Sequence, residues 1–209
     1  MGHRKLAIVL AIPTAAVLAT MVVVSLVTGA TQEAHEHFAL PEAYAAALVA
    51  QGGALRLVFA LDVAFLVLYT AFFAAFAGYL RDRKRPYVTL ALGAMVLTAL
   101  LDVVEDHHIV AMLDAAEHGV LPTVGAISFQ VVESASKFTV SFGSLVLFGL
   151  AIPRDTRLGL ALALFLVVGT LVSAVTGYAW PSSTVDSTRW IGFFAGFGLA
   201  VAWLRAQPD

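Results

Sequence analysis

The chain has no cysteine and few charged residues for its length. Of its 209 residues, 12% are charged and 60% are hydrophobic, whereas about a quarter of the residues of a soluble domain are charged. The lack of cysteine excludes disulfides, thiolate metal sites and cysteine nucleophiles. The low share of charged residues excludes an ordinary soluble domain and favours an integral membrane protein.

Several common catalytic and binding motifs are also missing. The sequence contains no Gly-x-Ser-x-Gly elbow, no phosphate-binding loop and no His-Glu-x-x-His zinc helix. No histidine lies in the middle of an apolar run, which argues against a haem held between helices by two histidines. No basic cluster with interleaved aromatic residues is present, so nucleic acid is not an expected partner.

Apolar runs of about 20 residues fill most of the chain instead. A helix of that length crosses a hydrocarbon core of ~30 Å. The runs predict an all-α polytopic membrane protein with six transmembrane helices, forming a single domain over residues 1–209. The predicted spans are residues 6–28, 54–80, 87–109, 129–152, 158–178 and 190–204. The first run is longer than the apolar region of a signal peptide, so we interpret it as a retained helix.

The segment between the first two spans is predicted to be a loop. It begins with the polar, acidic sequence of residues 32–37. Pro41 is expected to start a short helix, because proline is favoured in a first helical turn. Gly52 and Gly53 are expected to end that helix before the second span begins.

The distribution of Lys and Arg orients these spans. With the N-terminus in the cytoplasm, most basic residues fall on the inner side: Arg4, Lys5, Arg81, Arg83, Lys84, Arg85, Arg154, Arg157 and Arg205. Arg189 lies in an outer loop, Arg56 lies at an outer helix end, and Lys137 lies inside a span. This positive-inside bias predicts that both termini are cytoplasmic. The expected location is the bacterial inner membrane, with the lipid bilayer as the surrounding partner.

The fourth span carries a continuous polar stripe. Polar residues repeat there at spacings of three and four, which puts them on one helix face: Gln130, Glu133, Ser134, Lys137, Ser141 and Ser144. Such a stripe faces a bundle interior or a water-filled path and not lipid. One interpretation is that Glu133 and Lys137 form an i,i+4 ion pair that only stabilises the bundle.

Charged residues recur at one depth in three of the predicted spans. A helical rise of 1.5 Å per residue puts Asp102 and Lys137 roughly 24 Å from the inner boundary. By the same count, Asp62, Glu105 and Glu133 lie at about 28–30 Å. The three helices are therefore predicted to place four carboxylates and one ammonium in one layer of the outer leaflet.

This layer is expected to carry an excess of negative charge. Even if Arg56 folds back toward Asp62, two cations face four acids. Unbalanced charge is costly away from water, so the layer should hold a proton or a bound cation. We therefore predict proton- or cation-linked transport of a small solute, with Lys137 as the counter-charge. The predicted carriers are Asp62, Asp102, Glu105 and Glu133. The alternative is a solvated vestibule in which ordinary carboxylates meet water.

Histidines on the outer side suggest a metal-dependent membrane enzyme as a second interpretation. Glu105 and His108 have the Glu-x-x-His spacing, which puts two ligands on adjacent turns of one helix. Zinc accepts histidine and carboxylate together. The candidate ligands of a divalent metal are Glu105, His107, His108, His35 and His37. The alternative is that these are solvated loop histidines, and no cofactor is firmly implied. A third interpretation is a non-catalytic subunit or sensor, in an oligomer or larger complex, whose charges only lock helices together.

The last two spans carry small residues at four-residue spacing. Gly169, Ser173 and Gly177 share one face of the fifth span, and Gly192 and Gly196 share one face of the sixth. Such faces let helices approach closely in lipid. They predict a packing seam with no chemistry of its own.

Three short motifs carry a resemblance to other proteins. They are Arg56-Leu-Val-Phe-Ala-Leu-Asp62, Leu101-Asp-Val-Val-Glu105 and Ser134-Ala-Ser-Lys137. In these motifs, which cover the second to fourth spans, the chain resembles small multi-pass bacterial membrane proteins classed as domains of unknown function. Those proteins commonly have Asn after the Glu, where this chain has Asp106. The resemblance implies no established activity.

The charge distribution predicts the side of the membrane on which each loop lies. A reporter fused within residues 81–85 or 154–157 should read as cytoplasmic, because these segments are basic. A fusion near residue 116 or 184 should read as external. Paired enzymatic reporters, one active only inside and one only outside, provide the measurement. An external signal from residues 81–85 would contradict the predicted orientation and the depths counted from it.

Overall fold

Helices make up all the regular structure of the described chain. The computed structural model describes residues 1–81 and 85–208, so part of the basic segment at 81–85 lies outside the described residues. The helices are α1 (His3–Thr28), α2 (Pro41–Leu80), α3 (Arg85–Glu117), α4 (Val124–Ala151), α5 (Arg157–Ala179) and α6 (Ser183–Arg205). The predicted all-α class is confirmed.

Five of these helices, α1 to α5, are long and apolar enough to cross a membrane. Helix α6 is not among them, although it contains the predicted sixth span. Its first turns carry Asp186 and Arg189, which leaves a shorter apolar stretch. The described part of the chain is therefore consistent with a helical membrane protein.

Helix α2 is continuous, and the predicted break at Gly52 and Gly53 is wrong. The helix runs without interruption from Pro41 to Leu80. A Cβ atom at Gly52 would lie 2.9 Å from the Oε1 atom of Glu117 on α3. Gly52 therefore allows α2 and α3 to lie close together, and it does not end a helix.

Helix α3 is also longer than predicted. It continues to Glu117, so Asp114 and Glu117 lie on the helix and not in the predicted loop. At a rise of 1.5 Å per residue, the 33 residues of α3 and the 40 residues of α2 span about 50 and 60 Å. Both exceed a hydrocarbon core of ~30 Å, so we expect their outer ends to extend beyond it.

Two apolar clusters hold the bundle together, and a polar layer separates them. The larger cluster includes Phe65 and Phe72 of α2, Phe148 of α4 and Trp203 of α6. The smaller cluster lies at the N-terminal ends of α2 and α4 and the C-terminal end of α3: Tyr44, Leu48, Leu55, Phe59, Ile109, Met112, Leu113 and Ile127. On α2 the two clusters end at Phe59 and Phe65, with Asp62 between them. The smaller cluster thus covers the polar layer on the side away from the larger cluster.

The connection between α1 and α2 folds inward over this layer. Gly29 ends α1 with a φ of 73°, a conformation that glycine adopts without strain. A short 3₁₀ helix, Gln32–His35, follows, and the hydroxyl of Thr31 accepts a hydrogen bond from its Ala34 N–H at 3.3 Å. The side chains of Glu33, His35 and Glu36 are buried. The segment predicted as a plain polar loop is part of the interior.

His35 should make folding sensitive to acid. Its Nε2 atom lies 3.2 Å from the Gln51 amide oxygen, while its Nδ1 atom is buried without a hydrogen-bond partner among the described residues. Burial lowers the pKa of His35 below its ordinary 6.5. Below pH 6.5 the unfolded chain therefore takes up a proton that the folded chain resists, so stability falls as the pH decreases.

Replacing His35 with Phe removes this titration. When the pH is lowered from about 7 to about 5, the variant should lose less stability than the wild type. This range includes the ordinary histidine pKa of about 6.5. Thermal unfolding at stepped pH measures the difference. His118→Phe, at an exposed histidine, is the control and should keep the wild-type pH dependence. Equal pH dependence in His35→Phe and the wild type would show that His35 does not cause the acid sensitivity.

Candidate functional site

Lys137 occupies the centre of the polar layer. The Nζ atom donates to Asp102 Oδ1 of α3 at 2.8 Å and forms a second, shorter ion pair with Glu105. The exposed fractions are 4% for Lys137, 8% for Asp102 and 0% for Glu105. This burial does not fit a solvated vestibule. If either partner of an ion pair this deeply buried is removed, the other is left as an uncompensated charge, which is strongly destabilising.

Helix α4 supplies the remaining partners of Glu105. Gln130 Nε2 donates to Glu105 Oε1 at 3.1 Å, and the Ser134 hydroxyl donates to the same oxygen. Gln130, Ser134 and Lys137 follow the helical repeat, so all three point at α3 from one face. All six residues of the predicted polar stripe are buried, which confirms that the stripe faces the interior.

Three aspartates form an acidic group beside Lys137. Asp62 of α2 and Asp102 and Asp106 of α3 each place a carboxylate oxygen within 4.8 Å of the other two. The amide of Gln32 donates to Asp106 Oδ1 at 3.1 Å. In the described part of the chain, no donor reaches the Oδ2 atoms of Asp62 and Asp106, and these two carboxyl groups hydrogen-bond to each other when one of them is protonated. Three ionised carboxylates at this separation repel one another unless a proton or cation lies between them.

Asp106 was missed as a central residue by sequence reasoning. The signal was present, because Asp106 follows Asp102 by four residues and therefore shares its helix face. With Glu105, the layer holds four buried carboxylates, and two of them, Asp102 and Glu105, pair with the ammonium of Lys137. The predicted excess of acid in the layer thus rests on Asp62, Asp102, Glu105 and Asp106.

A second charged group lies between the inward-folded connection and α6. Arg189 donates to Glu36 Oε2 at 2.8 Å and also pairs with Asp186. The Nε2 atom of His37 lies 2.7 Å from Asp186 Oδ2. Burial raises the pKa of Glu36, and the positive charges of Lys137 and Arg189 oppose this rise. No sequence pattern linked residues 36 and 189, which are far apart along the chain.

Two predicted pairings of the charged residues are wrong. Glu133 does not pair with Lys137, because His108 Nδ1 lies 2.6 Å from Glu133 Oε2 while Lys137 reaches across to α3. The ion pair is made between helices and not along one helix. Glu133 therefore lies at the edge of the layer, beside His108, and not among its central acids.

Arg56 does not fold back toward Asp62. Its guanidinium lies 2.5 Å from Asp114 Oδ1 and 2.7 Å from Glu117 Oε2. The extension of α3 places these two acids beside Arg56. This removes Arg56 as a counter-charge of the layer and leaves Lys137 as the ammonium that faces the four acids.

The predicted metal ligands have separate partners in the structure. His35 contacts Gln51, His37 contacts Asp186, His107 Nδ1 lies 2.7 Å from the carbonyl of Val103, and His108 contacts Glu133. Glu105 pairs with Lys137. Among the described residues, the acidic group of Asp62, Asp102 and Asp106 is the set whose oxygens lie close enough to share an ion.

A cavity of about 390 Å³ extends from the charged layer into the larger apolar cluster. The charged end is lined by Glu33, Glu36, Asp62, Asp102, Lys137 and Arg189, and aromatic rings line much of the rest. The small residues of α5 and α6 also line this cavity: Gly169, Ser173, Gly177, Gly192 and Gly196. A Cβ atom at Gly192 would meet nothing within 4 Å. The predicted close packing seam is therefore wrong at Gly192, whereas at Gly196 it is confirmed, because a Cβ there would lie 3.3 Å from the Cε1 atom of Phe165.

Comparison with known proteins gives no assignment. No protein-family model matches the chain, and no curated protein or solved structure matches it either. The resemblance stated above therefore rests on its three short motifs.

Removing Lys137 should destabilise the protein strongly. The Lys137→Met change leaves Asp102 and Glu105 buried without their cation, so we expect a loss of about 3–5 kcal/mol. Adding Asp102→Asn should recover part of that loss, because one orphaned charge is then gone. Denaturant unfolding of the detergent-solubilised single and double variants measures both effects.

Glu133 provides the matched control for this cycle. It lies one turn from Lys137 on the same helix but pairs with His108, so Glu133→Gln should show less coupling to Lys137→Met than Asp102→Asn does. Small additive effects in both double variants would instead indicate exposed pairs, worth about 0–1 kcal/mol. That result would contradict the burial on which the site depends.

Proposed function

We propose that this protein couples the movement of a small solute across a membrane to a proton or a cation. The observation that carries the proposal is the excess of buried acid around Lys137. Asp102 and Glu105 pair with Lys137, whereas the Oδ2 atoms of the other two acids, Asp62 and Asp106, accept from no donor among the described residues. Buried ionisable groups between membrane helices are typical of proton relays and ion pathways.

Access to the cavity supports a carrier over a purely structural role. Asp62, Asp102 and Lys137 line the cavity as well as the ion-pair network. A change in their protonation would therefore alter the charge presented to a bound solute. Charges that only locked helices together would need no adjoining space of about 390 Å³.

A metal-dependent membrane enzyme is the alternative function. The acidic group of Asp62, Asp102 and Asp106 is the observation that favours it. Carboxylate oxygens without nitrogen ligands suit Mg²⁺, Ca²⁺ or Mn²⁺ better than zinc. This alternative replaces the histidine ligands predicted from sequence.

The proposed membrane arrangement keeps six spans, with α6 as the sixth and both termini in the cytoplasm of a bacterial inner membrane. The positive-inside bias supports this orientation. The charged layer then lies in the outer leaflet, and the outer ends of α2 and α3 cover it.

Infrared difference spectroscopy tests whether the layer holds a proton or a cation. The protein in lipid bilayers should show the carbonyl band of a buried carboxylic acid at neutral pH, or a change in carboxylate bands when Na⁺ or Mg²⁺ is added. Asp62→Asn should remove or shift these signals, because Asp62 lies within the acidic group. Asp114→Asn is the matched control, since Asp114 is 54% exposed and pairs with Arg56, and it should leave them unchanged.

Transport itself is measured in proteoliposomes that contain a pH-sensitive dye. Pools of small solutes are added under an imposed pH or Na⁺ gradient, and solute-dependent dye signals should occur with the wild type and disappear with Asp62→Asn. A spectrum that shows neither a buried carboxylic acid nor a response to cations would contradict the proposal. Binding of Mg²⁺ or Mn²⁺ that protects the protein against unfolding, without any transport signal, would favour the enzyme alternative.

A further inference from the structure

The cavity has two chemically different ends. Near the charged layer it is lined by Glu33, Asp62 and other ionisable residues, whereas toward the inner side it is lined by rings such as those of Phe72, Phe165 and Phe197. On α2 the lining runs from Val58 to Phe76, which corresponds to about 27 Å of helix. A cavity with this length and this polarity fits a molecule with a polar head and an apolar tail.

The charges at the polar end decide the sign of the head group. Both cations there already have partners, because Lys137 pairs with Asp102 and Glu105 while Arg189 pairs with Glu36 and Asp186. The guanidinium of Arg189 also lies 3.6 Å from the centre of the Phe138 ring. An anionic head group would therefore have to displace an existing ion pair.

Acceptors at the same end have few partners. The Oε2 atom of Glu33 is buried and has no hydrogen-bond partner among the described residues, and the carboxyl group of Asp62 has no hydrogen-bond partner other than the carboxyl group of Asp106. Both side chains are 6% exposed and line the cavity. A buried carboxylate without a cation beside it is costly, and a cationic head group would offset its negative charge. Aromatic rings nearby, such as Phe65, also favour an organic cation through their π faces.

We propose that the cavity binds a cationic amphiphile, with its ammonium head beside Glu33 and Asp62 and its alkyl tail among the rings between α2, α5 and α6. The volume of about 390 Å³ is within the range of small-molecule sites, roughly 300–1,000 Å³. The assignment rests on the proposed function, because it names the solute class of that carrier. Its binding step requires neither a gradient nor a proton.

Equilibrium binding to the full chain in lipid nanodiscs tests this assignment. Decyltrimethylammonium should bind saturably, and at least about tenfold more tightly than decanoate or decanol, because only the ammonium pairs with the free carboxylate oxygens. Empty nanodiscs measure and correct for partition into lipid. Glu33→Gln should weaken binding of the ammonium compound without weakening that of decanol.

Two cavity-filling variants locate the binding. Gly192→Leu places a side chain in the open part of the cavity, since a Cβ there meets nothing within 4 Å, and it should weaken binding at least about tenfold. Gly198→Leu is the matched control, because Gly198 lies on the same helix, is exposed and does not line the cavity. Ser173→Phe fills the same cavity from α5 and serves if Gly192→Leu does not fold.

The results separate this assignment from the carrier proposal. Tighter binding of decanoate than of decyltrimethylammonium, or equal binding by the wild type and both cavity-filling variants, would overturn the amphiphile site. If ammonium binding follows the expected pattern while infrared spectra show neither a proton nor a cation in the layer, the amphiphile site stands and the coupled carrier fails.

Discussion

The ion pairs of Lys137 with Asp102 and Glu105 are the interaction on which the arrangement of the bundle depends. A buried ammonium without a partner would cost several kcal/mol, so α3 and α4 must keep the facing positions that join these side chains. The hydroxyl of Ser144 adds a fixed contact deeper in the same interface, donating to the carbonyl of Ala91 at 2.7 Å. Polar contacts along the whole interface therefore set the register of α3 against α4.

Burial of this network requires apolar cover on both sides. The larger cluster covers it from one side, and the cluster around Tyr44 and Ile109 covers it from the other. The second cover exists because α2 and α3, at 40 and 33 residues, are longer than a bilayer crossing requires. The extra helical turns thus have a physical role, since they carry apolar side chains that bury the layer on that side.

The sequence predicted that Asp102 and Lys137 lie at one level of the bundle, but it did not predict the partners within the charged layer. The helical rise along each helix places Asp102 and Lys137 at one level, and the structure joins them. The helical rise does not determine how each helix is rotated about its own axis. The predicted pairing of Glu133 with Lys137 is therefore wrong, because Glu133 contacts His108. The predicted position of Arg56 is wrong for another reason. Its partners, Asp114 and Glu117, lie on turns of α3 beyond the predicted end of the third span at residue 109. The inward fold of Glu33 and Glu36 depends on tertiary contacts that local sequence does not encode.

The glycines of α5 and α6 were interpreted from sequence as a means of close approach, but they also preserve space. If packing were their only role, an added Cβ at Gly192 would meet a neighbouring helix, yet nothing lies within 4 Å. Helix α5 also contains a π-helical turn, Phe165–Gly169, which includes three residues that line the same cavity: Phe165, Leu166 and Gly169. Such turns are common at functional sites. Close packing would stabilise the bundle more than an open space of this size. Retention of the cavity beside unpartnered carboxylate oxygens therefore favours binding over stability as the constraint on this part of the chain.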